Sequence, residues 1–161
     1  MSAGRPPKYN NVEGIEIKRI DYNNLVNYDF KSENELRDFI VRNIDNVCKD
    51  FYNDKVINYK IDFPIQKQLK FSPRKRRIDL VIFGKKSNYL IELKNPRFGT
   101  ESRAAIGQIL DYGREFLNYK LSIITSKFDI NTAKTIKYYN LPIRYIYTNK
   151  KQCAEFLYEQ S

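Results

Sequence analysis

Two apolar runs near the middle of the chain set the pattern. Residues 77–83 carry Ile78, Leu80, Val81, Ile82 and Phe83, and residues 88–94 carry Tyr89, Leu90, Ile91 and Leu93. A short polar stretch at 84–87, opened by Gly84, separates them, so the two runs are expected to form a β-hairpin. Upstream, Ser32 with Glu35 three residues on reads as a capping box. The helix it opens is expected to run to about Asp50, with Leu36, Ile40, Ile44 and Val47 as its buried stripe. Residues 55–71 alternate apolar and basic positions, with Pro64 interrupting, and predict an irregular strand or an edge hairpin. Beyond Lys94, Asn95, Pro96 and Gly99 predict a loop at 95–99. A helix over 101–116, a strand over 121–125, a helix over 133–139, a strand over 143–147 and a terminal helix over 153–158 complete the series. Residues 1–14 read as a flexible basic arm, and Ile15, Ile17 and Ile20 as a short strand. Strands alternating with helices around a central hairpin predict one α/β domain over 15–161, with a mixed central sheet flanked by helices.

The hairpin also carries charges where apolar groups are expected. Side chains alternate along a strand, so Glu92 and Lys94 share one face, while Ile91 and Leu93 share the other. Asp79 falls in phase with Val81 and Phe83, on an apolar face. Two carboxylates and an ammonium beside a core are costly unless a metal ion and a substrate resolve the charges. That places candidate chemistry at Asp79, Glu92 and Lys94.

Asp79, then twelve residues, then Glu92-Leu93-Lys94 resembles the D…ExK motif of the PD-(D/E)XK nuclease superfamily, the restriction-endonuclease-like fold. Glu33, in the stripe one turn before Leu36, matches the extra acidic residue that many members place on their first helix. Gln108 and Tyr112, four apart on one helical face, match the QxxxY motif of RecB-like members. The likeness spans roughly residues 32–125 by element order. A proline is absent before Asp79, where Ile78 stands. The resemblance implies an αβββαβ core and Mg²⁺, or Mn²⁺ in its place, held by Asp79, Glu92 and the Leu93 carbonyl. It implies that Lys94 meets the attacking water or a phosphate oxygen, as a base or as an electrostatic orienter. Glu33 would complete the acidic set, and Gln108 and Tyr112 would support the lysine or the substrate backbone.

Composition narrows the chemistry further. The 161 residues include no histidine, which excludes His-metal nucleases, histidine acid–base ribonucleases and Ser-His or Cys-His triads. Two cysteines, Cys48 and Cys153, make neither a disulfide framework nor a zinc site, and Cys48 reads as a buried thiol. The formal charge of +10 implies a polyanionic partner. Arg74, Lys75, Arg76 and Arg77 lie just before Asp79, and Arg97 and Arg103 just after Lys94, so these six are the candidate nucleic-acid contacts. No apolar run approaches the ~18 residues of a membrane span, and no secretory leader is visible. A cytoplasmic location is expected, in the host cell if the chain is viral.

The expected function is a metal-dependent DNA endonuclease that recognises structure or is targeted by a partner. Cutting both strands calls for two sites, hence a homodimer. A Holliday-junction resolvase, an exonuclease and an RNA-directed nuclease use the same residues. The alternative of another class is a nucleic-acid-binding module on this fold that does not cut.

Overall fold

The computed structural model describes residues 30–65, 77–96, 103–148 and, for the backbone alone, 153–156. The basic arm, the expected strand at Ile15–Ile20, and Arg74, Lys75, Arg76 and Arg97 lie outside the described residues.

Helix α1 (Glu33–Arg42) begins where the Glu35 N–H donates to Ser32 Oγ at 3.1 Å, as the capping box requires. The reciprocal bond is shifted by one residue: the Glu35 carboxylate accepts from the Lys31 N–H at 3.2 Å. The helix does not continue to Asp50. It breaks at Asn43 (φ −108°, ψ 20°), whose side-chain amide donates to the Phe39 carbonyl at 2.8 Å. Asparagine competes with the helical ladder in this way, and α2 (Ile44–Tyr52) begins at the next residue. Leu36, Ile40, Ile44 and Val47 are all buried, as their spacing predicts.

Strands β1 (Val56–Pro64), β2 (Arg77–Gly84) and β3 (Asn88–Lys94) form an antiparallel meander. Helix α3 (Arg103–Glu115) returns the chain to β4 (Lys120–Thr125), parallel to β3. Helix α4 (Ile130–Tyr138) returns it again to β5 (Ile143–Thr148), parallel to β4. Residues 153–158 were expected to be helical. Instead, Cys153–Phe156 forms β6, antiparallel to β5 with Thr148 opposite Cys153 and Tyr145 opposite Phe156. The outer edge of β5 offers unpaired N–H and C=O groups, and satisfying them outweighs a weak local helical preference. The mixed sheet runs in the order β1-β2-β3-β4-β5-β6.

Helices α1 and α2 cover one face, packing on Leu80, Ile82, Tyr89, Ile91 and Leu93. Helices α3 and α4 cover the other, over Val81, Leu90, Ile123 and Tyr145. Burial on both faces explains why β2 to β5 read as near-continuous apolar runs.

The β2–β3 turn is braced from outside the hairpin. The Asp54 carboxylate, just after α2, accepts from the backbone N–H groups of Lys55, Lys86 and Ser87 and from the Tyr89 hydroxyl at 2.8 Å. Burial pushes the Asp54 pKa up, but the hydrogen bonds from Tyr89, Lys55, Lys86 and Ser87 outweigh it and bring the carboxyl down to about 2. Its folded pKa lies below its unfolded value, so this brace is present above that value and is lost as pH falls through about 2. A Cβ on Gly84 would stand against the Asp54 carboxylate and 2.7 Å from the Ser87 carbonyl. With Asp54 held from four sides, neither neighbour can move cheaply. Gly84→Ala is expected to cost roughly 2 kcal/mol, read as a lower urea midpoint with an unchanged m-value.

Candidate active site

Strands β2 and β3 pair from Phe83 opposite Asn88 to Leu80 opposite Ile91. Beyond that point the Asp79 side chain takes the place of a backbone partner: its Oδ2 accepts from the Leu93 N–H at 2.8 Å. The N–H and C=O of one strand residue leave on the same side, so the Leu93 carbonyl also faces the Asp79 side of β3.

The strict alternation expected of β2 fails here. Ile78 packs with Val81 in the α3/α4 cluster, although Leu80 and Ile82 face α1 and α2. The neighbouring strand keeps its register at this level, with Ile61 opposite Leu80 and Phe63 opposite Ile78, but Asp62 between them has φ 48° and departs from extended backbone. Asp79 therefore does not lie on the apolar face of Val81 and Phe83. It turns into the opening between β2 and β3 and is half-buried.

Glu92 is only 3% exposed and its carboxyl lies beside that of Asp79. Burial first, then the interaction with the neighbouring Asp79 carboxylate, pushes its pKa up to about 10, against the opposing pull of Lys94. Glu33 stands at the exposed rim on the first turn of α1. Its pKa is raised by burial of part of its carboxyl, then by Asp79, again against Lys94. Four sequence-predicted residues, Glu33, Asp79, Glu92 and Lys94, are thus within electrostatic reach of one another.

The end of β3 is held firmly. The Lys94 carbonyl accepts from the Ser126 N–H at 3.0 Å, and Asn95 Nδ2 donates to the Phe30 carbonyl at 3.0 Å. The Ser126 hydroxyl donates to Asn95 Oδ1 at 2.5 Å. Asn95, read from sequence as a loop residue, is a clamp that ties the lysine strand to β4 and to the approach of α1.

The donor set suits a hard divalent cation. It is all oxygen, and Asp79 keeps Oδ1 after Oδ2 is engaged. A neutral Glu92 beside Asp79 is what two close carboxylates adopt when no cation shares them. Among the described residues no three acidic or cysteine side chains form a complete metal cage. Mg²⁺ characteristically takes one or two carboxylates and keeps several waters.

The other candidates are dispersed. Gln108 is exposed on α3 whereas Tyr112 is buried in the α3/α4 cluster, so the helical spacing does not bring them to one environment. Arg103 Nε lies 3.4 Å from Asp129, the N-cap of α4. Arg77 is exposed at the start of β2, opposite Pro64. Sequence reading missed Arg37 and Asp62, whose side chains join Glu33, Asn34, Asp79 and Leu93 around a polar cleft of about 100 Å³. Arg37 lies one helical turn after Glu33, a spacing that could have marked it.

No protein-family model matches the chain, and no curated protein matches it. Among solved structures it is similar to protein VC1899 from Vibrio cholerae, with 13% sequence identity and a TM-score of 0.42. That likeness covers 69% of this chain and 28% of the other, so the chain spans little more than a quarter of that protein's length.

Proposed function

We propose that this chain is a metal-dependent DNA endonuclease of the PD-(D/E)XK type. The observation that carries the reading is the gathering of Glu33, Asp79, Glu92 and Lys94 where β2 and β3 part. The element order helix, β1, β2, β3, α3, β4 supports a restriction-endonuclease-like αβββαβ core.

Asp79 and Glu92 would hold Mg²⁺ or Mn²⁺, with the Leu93 carbonyl beside them. When bound, the cation offsets charge at the scissile phosphate and lowers the pKa of an attacking water. The protein's own groups do the positioning. The Leu93 N–H fixes the Asp79 carboxylate, and the Asn95 clamp fixes the strand that carries Lys94. Lys94 offers three donors to a phosphate oxygen or the water. Glu33 at the rim draws in cations and orders water. The net charge of +10 brings a polyanion to a site that is locally acidic. Two copies, as a homodimer, would supply one site for each strand.

The test is incubation of the pure protein with linear, nicked, single-stranded and four-way-junction DNA, with Mg²⁺, Mn²⁺ or EDTA. Cutting that requires the metal is expected, and the favoured substrate identifies the structure recognised. Binding without cutting in every lane, with an RNA panel equally intact, would leave a non-cutting nucleic-acid module.

A further inference from the structure

We propose that Arg37 is a phosphate-binding residue of this site, held back by Asp62 until a nucleic-acid backbone enters the cleft. The inference rests on the nuclease reading and names a contact that the ExK motif does not contain.

Arg37 is under-satisfied where it stands. Its guanidinium carries five N–H donors in a planar fork. Nη1 is 3.4 Å from Asp62 and Nη2 is 3.6 Å from Asp38, both long for ion pairs. Nε is shut from solvent with no hydrogen-bond partner among the described residues. The side chain is only 20% exposed, so the water within its reach is confined to the cleft it lines.

Asp62 is strained and crowded. Its φ of 48° is in the left-handed region, and its carboxylate lines the same small cleft as that of Asp79. Like charges gathered in one cleft repel, and local strain of this kind gathers at functional positions. Arg37 is the cation that relieves Asp62 in the free protein. The cleft they share, about 100 Å³, is large enough to hold water. A phosphodiester entering the cleft offers two oxygens to the guanidinium fork, which is better matched than the long contacts to Asp62 and Asp38. Arg37 then transfers from carboxylate to phosphate, and Asp62, half-exposed, is released to solvent.

Equilibrium binding of a fluorescent DNA duplex, with Ca²⁺ replacing Mg²⁺, tests this over a series of salt concentrations. Arg37→Ala is expected to weaken binding about tenfold and to lower the salt slope by about 0.9. Asp62→Asn is expected to tighten binding, because it releases Arg37. Arg37→Lys keeps the charge but not the fork, and is expected to fall between wild type and alanine even if Arg37→Ala folds poorly. Unchanged binding in Arg37→Lys and Asp62→Asn, with wild type binding well, would overturn the phosphate role and leave the nuclease reading intact. Weaker binding by Asp62→Asn would overturn the latch. A wild-type protein that binds no DNA would remove both readings together.

Discussion

Lys94→Ala is expected to slow metal-dependent DNA cutting by roughly 10²–10⁴-fold, the range for losing a positioned proton-transfer or charge-stabilising group. The fold should survive, because Lys94 is half-buried and its backbone, not its ammonium, makes the bond to Ser126. Metal-induced thermal stabilisation should persist too, since Asp79 and Glu92 remain. Asp79→Asn is expected to abolish cutting and also to weaken the metal shift, which separates the two roles. Lys94→Arg then divides the two duties of the lysine. Arginine keeps the positive charge but cannot accept a proton near neutral pH. Single-turnover rates retained within about tenfold in Lys94→Arg would make Lys94 an electrostatic orienter; a loss as deep as alanine's would make it the base.

The central hairpin, the parallel strands and the helices that cover them are legible because their signals are local: apolar runs of strand length, a capping serine, turn residues. The convergence of Asp79, Glu92 and Lys94 is legible for the same reason, since one hairpin carries all of them. What failed depended on bonds and neighbours that periodicity does not display. Cys153–Phe156 is a strand because the edge of β5 lies beside it, which nothing in those residues announces. Asn43 breaks a helix through one side-chain bond that a periodic stripe conceals. The break in alternation at Asp79 goes with its bond to the Leu93 N–H on β3, so reading β2 alone puts the carboxylate on the wrong face. Gln108 and Tyr112 satisfy a spacing rule, but α3 buries Tyr112 and exposes Gln108. Spacing fixes a shared helical side and does not fix what that side meets.

Glu92→Gln is expected to reverse how the protein responds to pH and to divalent metal. In the metal-free protein Glu92 has a folded pKa raised from 4.5 to about 10 by burial and by Asp79. The folded state therefore holds a proton that the unfolded chain releases above 4.5, and the stability linked to it is lost as pH rises through that interval. One proton of difference corresponds to a slope of about 1.4 kcal/mol per pH unit. Glutamine keeps the shape and the hydrogen-bonding capacity without the charge. The variant should thus gain on wild type as pH rises from 5 to 9 in EDTA, measured by denaturant titration at each pH. With saturating Mg²⁺ the order inverts. The cation takes the place of the proton on Glu92, so metal affinity of wild type should climb with pH, while the variant gains little from metal at any pH. A variant and wild type that run parallel in EDTA would mean that Glu92 is already ionised in the free site, paired by Lys94 alone. Equal metal stabilisation of both proteins would remove Glu92 from the set that holds the cation.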